Sequence, residues 1–110
     1  MKQWDVYRYD FPNVGLHPVV IVSPDSVCAD ANFDSVNGLF CSSQRAGRAP
    51  RAGEVLLDAA DGLDWETLCK CRFIFELQKG SLLGRTSSVT TERRRLIASR
   101  IIEQFNFRFT

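Results

Sequence analysis

The chain of 110 residues lacks any long apolar run, and this absence restricts the kind of protein it can be. No segment approaches the roughly 20 consecutive apolar residues that a membrane-spanning helix needs. The opening residues, Met1-Lys2-Gln3-Trp4-Asp5, have no apolar core of the kind found in a signal peptide. With 45% hydrophobic and 25% charged residues, the composition is that of an ordinary globular protein. We therefore expect a single cytoplasmic domain over residues 1–110, with no membrane association.

Histidine and metal-binding cysteine patterns are also scarce. The only histidine is His17, and the cysteines, which show no Cys-x-x-Cys spacing, are Cys28, Cys41, Cys69 and Cys71. A structural zinc site usually combines such a spacing with further cysteine or histidine ligands. Without a secretory signal, free thiols buried as small apolar residues are the usual state of cysteine. The sequence therefore predicts free buried cysteines, no metal and no other cofactor.

Acidic residues are absent from one arginine-containing segment, although the whole chain is nearly neutral, with a formal net charge of +1. Residues 44–53 contain Arg45, Arg48 and Arg51 without any acid, and two glycines and a proline interrupt them. Glycine and proline in this density are typical of an exposed loop. Since the planar guanidinium group suits phosphate, this loop is a candidate anion-binding surface.

What the chain does contain is a series of short segments with strand character. The strongest runs from Val19 to Val22, where four apolar β-branched residues suit a strand that is covered on both faces. Pro18 fits only at the beginning of such a strand, because it has no N–H to donate to a neighbour. His17 is thereby placed at the end of a rigid strand, where side chains usually meet solvent or ligand.

The order of the segments predicts a mainly β fold. The predicted strands are residues 4–11, 17–23, 35–43, 54–57, 67–77 and 84–86. The first two are expected to pair as an antiparallel hairpin. A C-terminal helix of about residues 90–105 follows, capped by Thr90 or Thr91, and its predicted buried stripe is Leu96, Ile97, Ile101 and Phe105. Such an order closes most economically as a small, strongly bent barrel of five to seven strands with the helix packed against it.

The longest predicted strand separates its side chains into two faces. Alternate residues are apolar and are expected to face the core. These residues are Cys69, Cys71, Phe73, Phe75 and Leu77. Lys70, Arg72 and Glu76 are then expected on the outer face.

Taken in order, these segments resemble the MazF/PemK/CcdB superfamily of toxins from bacterial toxin–antitoxin systems. Gly-Leu-His-Pro-Val-Val-Ile-Val-Ser at residues 15–23 is similar to the family pattern Gly-x-Arg-Pro, four apolar residues and Ser or Thr. Further similar segments are residues 4–7, 41–44, 55–57, 62–68 and 77–84. The resemblance covers nearly the whole chain and implies an SH3-like barrel that forms a homodimer.

The resemblance also implies an activity and a partner. MazF and PemK members are metal-independent endoribonucleases, or mRNA interferases, that cleave single-stranded RNA. A cognate antitoxin neutralises them by laying an acidic, flexible tail across the RNA groove. The CcdB branch has the same fold but poisons DNA gyrase. We therefore expect an RNA-cleaving toxin, with a non-enzymatic toxin on the same fold, gyrase-poison-like or catalytically degraded, as the alternative.

The family pattern assigns candidate site residues. His17 occupies the position of the family's Arg before Pro, and Ser42 occupies that of its strand-end Thr or Ser. Lys70 and Arg72 occupy the positions of its Arg-x-Asp pair. These four are the predicted catalytic residues, although the arginine has become an imidazole and the carboxylate is lost. An imidazole titrates near neutral pH and can act as a base or an acid. The predicted RNA-binding residues, which would contact phosphate, are Ser43, Gln44, Arg45, Arg48 and Arg51.

Structural alternatives remain open for the same residues. His17 can instead be a partly buried histidine that is bonded to the backbone at a strand start. Lys70 and Arg72 can instead form salt bridges on an outer strand face, with residues such as Glu76. The terminus, residues 106–110, does not match the Trp-Gly-Ile terminus of the gyrase poisons. A structural SH3-like adaptor is a third possibility.

Overall fold

The computed structural model describes residues 1–43 and 47–110. Within these residues it contains six strands, a one-turn helix α1 and a C-terminal helix α2. The strands are β1 (Asp5–Phe11), β2 (Gly15–Ile21), β3 (Ser35–Ser43), β4 (Glu54–Leu57), β5 (Thr67–Gln78) and β6 (Leu83–Ser88). The α-helices are α1 (Asp25–Cys28) and α2 (Thr91–Phe105), and short 3-10 turns occupy Ala59–Asp61 and Lys79–Ser81. The mainly β fold with a C-terminal helix is confirmed.

The strands form one curled antiparallel sheet in the order β4-β5-β3-β2-β1-β6. β1 and β2 pair as the predicted hairpin, with Val6 opposite Val20. The curl brings the turn after edge strand β4 close to the end of the other edge strand, β6. Gly62, which has a φ of 78°, approaches Ser87 so closely that an added Cβ atom would lie 2.4 Å from the Ser87 Cβ. Glycine is therefore needed where the two sheet edges meet.

Strand β2 is buried on both faces, as its unbroken apolar run predicts. Val20 packs in one core cluster with Leu39, whereas Val19 and Ile21 pack in a second cluster with Val36. Val19, Val20 and Ile21 have no exposed surface. Burying a side chain of this kind stabilises the folded state by about 1.5–3 kcal/mol. Because β2 contributes such side chains to both core clusters, it is the centre of the fold.

Strand β5 does not keep one alternation along its length. Cys41 of β3 pairs with Cys69, but Leu39 pairs with Ile74. Between these pairs β5 has four residues, Lys70 to Phe73, where β3 has only Phe40. An irregularity of this kind bends a strand and re-aims its side chains. The predicted alternation therefore cannot extend across it.

The side chains of β5 show the consequence. Cys69, Cys71 and Leu77 are buried as predicted, but Phe73 and Phe75 are 49% and 39% exposed. The prediction that these two phenylalanines face the core is therefore wrong. Phe75 and Leu77 alternate on one face beyond the change of register with β3, so the exposure of Phe75 reflects its position along the sheet, which alternation alone does not contain.

The four cysteines are free and buried, as predicted. Cys41, Cys69 and Cys71 lie in the same core cluster, beneath α2. Hydrogen bonding to Cys41 and Cys71, together with burial, raises the pKa of the Cys69 thiol. Cys69 therefore remains a neutral core residue.

Helix α2 begins at the predicted position. The Thr90 hydroxyl caps it by accepting a hydrogen bond from the Arg93 N–H at 3.4 Å. Ile97 is fully buried, but Leu96 and Phe105 are 40% and 44% exposed, so the predicted stripe is wrong for these two residues. The helix packs against β4 and β5. No helix of residues 1–43 and 47–110 has the length and apolar character needed to cross a membrane.

Candidate active site

His17 is the third residue of β2, which begins at Gly15, and it pairs with Tyr9 of β1, so the prediction that it stands at the end of the strand is wrong. Its side chain is half-buried between aromatic rings. Its ring centroid is 4.6 Å from that of Phe40 and 6.3 Å from that of Phe11. The His17 Nδ1 atom is 3.0 Å from the main-chain carbonyl oxygen of Cys41. Because a carbonyl oxygen only accepts, Nδ1 must carry the hydrogen of this bond. In the neutral ring Nε2 then has the lone pair and can accept a proton.

The two serines at the end of β3 are separated by the geometry of the strand. Ser42 is half-buried and follows Cys41, the residue whose carbonyl oxygen receives the His17 hydrogen bond. Ser43 is exposed and lines a polar cavity of about 240 Å³ together with Arg8 and Trp65. Ser42 is therefore beside the histidine contact, whereas Ser43 faces a different cavity.

Glu54, the first residue of β4, is a carboxylate that the motif-based prediction did not include. It lies opposite Lys70 in the sheet, and its side chain is only 8% exposed. It accepts hydrogen bonds from both terminal nitrogens of Arg48, at 2.9 and 3.0 Å, and forms an ion pair with Lys70. The main-chain N–H of Arg51 donates to it at 2.8 Å. Two of the predicted cationic residues, Arg48 and Lys70, therefore share one buried partner.

This environment fixes the charge of Glu54. The hydrogen bonds from Arg48 lower its pKa most, and those from Lys70 and the Arg51 N–H lower it further, to about 2 from an ordinary 4.5, although burial opposes the shift. A carboxylate with so low a pKa is a poor general base near neutral pH. Glu54 instead holds the two cationic side chains in place. The sequence could have indicated this role, since Glu54 is the first acidic residue after the arginine-rich loop and begins a predicted strand.

Arg72 and Arg51 complete a cluster of positive charge around Glu54. Both are exposed, and with Glu54, Lys70 and Phe73 they line a cavity of about 180 Å³. We call Arg48, Arg51, Lys70 and Arg72 the cation cluster. The predicted alternative of a salt bridge on the strand face is confirmed for Lys70, although its partner is Glu54 and not Glu76. Gln44 and Arg45 lie outside the described residues.

Beside the cation cluster lies a larger cavity, of about 410 Å³, that we call the aromatic groove. Its aromatic lining consists of Tyr9, Phe11, Phe40, Phe73 and Phe75. Phe11 meets Phe40 and Phe75 edge-on, with ring centroids 5.1 and 5.2 Å apart. Lys70 and Phe73 line both this groove and the cavity of the cation cluster, so the two are continuous. Sequence analysis missed the groove because it placed Phe73 and Phe75 in the core.

Among residues 1–43 and 47–110, no group of three or more His, Cys, Asp or Glu side chains is arranged to hold a metal ion.

Comparison with known proteins gives matches in structure but not in sequence. No protein-family model and no curated protein matches the chain. A solved endoribonuclease in complex with its cognate antitoxin, from a Mycobacterial species, superposes with a TM-score of 0.82 at 19% identity, over 100% of this chain and 99% of that chain. The Mycobacterium tuberculosis toxin MazF-mt6 gives 0.78 at 17% identity, over 96% and 99%.

A more distant structure gives the same result. The MazE–MazF complex from Deinococcus radiodurans matches with a TM-score of 0.70 at 12% identity, over 98% of this chain and 97% of that chain. At these identities the likeness establishes the backbone architecture, and the chemistry of the site has to be argued from the residues present. The chain therefore has the fold of the MazF toxins.

Proposed function

We propose that the chain is the toxin of a toxin–antitoxin system and acts as a metal-independent endoribonuclease on single-stranded RNA. Its fold is that of solved structures described as endoribonucleases and as MazF toxins. The observation that carries the proposal is the hydrogen bond from His17 Nδ1 to the Cys41 carbonyl oxygen. That bond leaves Nε2 able to accept a proton, on a ring that packs against Phe40 in the wall of the aromatic groove.

In the proposed reaction a ribose 2′-hydroxyl attacks the adjacent phosphorus and the bond to the 5′-oxygen breaks. His17 Nε2 accepts the proton of the 2′-hydroxyl as general base. Lys70 and Arg72 stabilise the negative charge that develops on the phosphorane, and Ser42 donates its hydroxyl hydrogen to a phosphate oxygen. The leaving 5′-oxygen takes a proton from water, and the hydroxide that forms takes the proton from His17, which returns to its neutral form. The products are a 2′,3′-cyclic phosphate and a 5′-hydroxyl end.

The remaining predicted residues are proposed to bind the RNA backbone. Arg48 and Arg51 contact phosphates, as do the loop residues Gln44 and Arg45 and the strand-end hydroxyl of Ser43. Such contacts position a nucleic acid without reading its sequence. The hydrogen bonds that Glu54 accepts from Arg48 and from the Arg51 N–H support this assignment. They hold the Arg48 side chain and the Arg51 backbone in one arrangement before the RNA binds.

The same positive surface supports the proposed partners. An acidic, flexible antitoxin tail complements the cation cluster in charge, and one of the matched structures is described as a complex with a cognate antitoxin. We propose this antitoxin as a partner, together with a second copy of the chain in a homodimer.

A non-enzymatic toxin on the same fold is the second candidate. One observation favours it: Glu54 already neutralises part of the charge of Arg48 and Lys70, which the first candidate assigns to the RNA. A non-enzymatic toxin would arrest growth without cleaving RNA, whereas the endoribonuclease would do both.

The test combines an assay of RNA with an assay of toxicity. Purified protein is incubated with mixed single-stranded RNA in the presence of EDTA, and the ends of any fragments are analysed. We expect cleavage with 2′,3′-cyclic phosphate ends, and growth arrest when the protein is expressed. Growth arrest without cleavage contradicts the proposed activity and favours the second candidate, for which DNA gyrase is assayed in parallel.

A further inference from the structure

We propose that the aromatic groove binds one unstacked base of the single-stranded RNA, and that the cation cluster holds a neighbouring phosphate. This inference rests on the proposed function and specifies how the RNA is held. It differs from the backbone contacts described above, because those require no contact with a base.

The exposed aromatic rings are the first observation. Phe73 and Phe75 expose 49% and 39% of their surface, although most large apolar residues of the neighbouring strands are buried. They form one wall of a cavity of about 410 Å³, within the range of about 300–1,000 Å³ that is usual for small-ligand sites. Unpaired bases bind proteins largely by stacking on aromatic side chains. A groove walled by several phenylalanines suits such a flat apolar group.

The charges around the groove indicate which occupant it fits. Lys70 and Phe73 line both the aromatic groove and the cavity that contains Arg51 and Arg72. A nucleotide has the same division, since its base is flat and apolar on its faces and its phosphate is anionic. Glu76 also lines the groove and repels a phosphate, so the phosphate belongs at the Lys70 end. A wholly apolar occupant would make no use of the exposed guanidinium groups of Arg51 and Arg72.

The histidine contact connects this site with the proposed chemistry. The His17 ring packs against Phe40 with centroids 4.6 Å apart, and Phe40 is itself part of the groove wall. A base seated in the groove therefore fixes the course of the RNA beside the imidazole. The groove acts in this scheme by positioning the substrate, since none of its rings takes part in proton transfer.

The experiment measures binding without cleavage. A fully 2′-O-methylated oligonucleotide cannot be cleaved by attack of its 2′-hydroxyl groups, and a set of such oligonucleotides carries one abasic site at each position in turn. We expect one abasic position to weaken binding to the wild-type protein by about tenfold, as loss of a stacked base does. Phe75→Ala should weaken binding of the intact oligonucleotide about tenfold, and the abasic site should then cause little further loss.

Two variants complete the experiment. Phe75→Trp retains a stacking surface and should bind within about threefold of the wild type, which tests the site even if Phe75→Ala folds poorly. Phe107→Ala is the matched control, because Phe107 is 77% exposed on the C-terminal segment and does not line the groove. It should bind like the wild type.

The outcomes separate this inference from the proposed function. If the wild type cleaves RNA but no abasic position weakens binding, the groove inference is overturned and the function stands. If the wild type neither binds nor cleaves single-stranded RNA, both fail. If Phe75→Ala instead changes the oligomeric state in sedimentation, or abolishes binding of an acidic peptide without altering the abasic pattern, the groove belongs to a second copy or a protein partner and the inference is overturned.

Discussion

The Nδ1 atom of His17 donates a hydrogen bond to the main-chain carbonyl oxygen of Cys41 over 3.0 Å. The two interpretations that the sequence left open are therefore compatible, since the histidine, as the third residue of β2, is bonded to the backbone and still has a basic nitrogen, Nε2, in its neutral form. A structural role and a chemical role reside on different atoms of one ring. They can be separated by substitution.

His17→Asn and His17→Ala form that pair. Asparagine retains a donor close to the position of Nδ1 but has no basic nitrogen, whereas alanine removes both. We expect both variants to lose at least about 100-fold in RNA cleavage, as loss of a general base does. In urea unfolding, only His17→Ala should lose about 1 kcal/mol, because it leaves the Cys41 carbonyl oxygen without its partner. Wild-type cleavage by His17→Asn would restrict the histidine to the structural role.

Glu54 predicts an acid-sensitive component of stability. Its pKa in the folded chain is about 2, below its ordinary value of 4.5, so its contribution is fully present above pH 4.5 and is lost as the pH falls towards 2. Between pH 7 and pH 3 the wild type should therefore lose about 2 kcal/mol relative to Glu54→Gln. Urea unfolding at the two pH values measures this difference.

Glu103→Gln is the control for that measurement. Glu103 pairs with Arg100 on the exposed side of α2, where its side chain is 56% exposed. An exposed pair of this kind contributes little to stability, so this variant should follow the wild type at both pH values. An equal pH dependence in Glu54→Gln and the wild type would contradict the assignment of the acid-sensitive component to Glu54.

The parts of the fold that could be predicted depend on local patterns. The run Val19 to Val22 marks a doubly covered strand by itself, and β3 (Ser35–Ser43) and β4 (Glu54–Leu57) have the predicted bounds. The aromatic groove could not be predicted, because it depends on a change of register between β3 and β5 at Phe40. That register is set by contacts between distant segments, and alternation within β5 does not show that Phe73 and Phe75 are exposed while Leu77, two residues after Phe75, is buried.

The candidate site divides in the same way. The position of His17 on β2 follows from the apolar run that begins two residues later, although β2 begins at Gly15 and not at His17 as predicted. Its tautomer depends on Cys41, which only the folded sheet brings near. Glu54 meets Lys70 for the same reason, since they are opposite each other on β4 and β5. The residue types thus predicted which segments carry positive charge. The pairing of the strands determines which of these side chains form ion pairs within the protein, as Lys70 does with Glu54.

The ion pair of Asp61 with Arg93 joins the turn after β4 to the first turn of α2, and it provides a test of how this part of the fold is held together. The side chain of Asp61 has no exposed surface; it pairs with Arg93 and accepts the Thr90 N–H at 3.0 Å. Removing Arg93 leaves that carboxylate buried without its cationic partner, so Arg93→Leu should lose about 3–5 kcal/mol in urea unfolding. Arg95→Leu, on the exposed face of the same helix, should change stability by less than about 0.5 kcal/mol. Equal stability of the two variants would contradict this account.

Gly38 tests whether the floor of the aromatic groove is as tightly packed as the distances indicate. A Cβ atom added to Gly38 would lie 2.8 Å from Leu77 Cδ1, and Leu77 is 2% exposed and lines the groove. Because the surrounding core cannot yield freely, Gly38→Ala should lose about 1–3 kcal/mol in urea unfolding. Gly84→Ala, whose added Cβ meets nothing within 4 Å, is the matched control and should remain within about 0.5 kcal/mol of the wild type.

The double variant Gly38→Ala/Leu77→Val identifies the cause of that loss. Valine lacks the methyl group that the new Cβ would meet, so the loss for the double variant should be smaller than the sum of the losses for the single variants. A strictly additive loss would mean that the strain of Gly38→Ala lies elsewhere in β3. If the two effects are coupled as expected, Gly38→Ala should also weaken binding of the 2′-O-methylated oligonucleotide, because the displaced leucine enters the space proposed for the base.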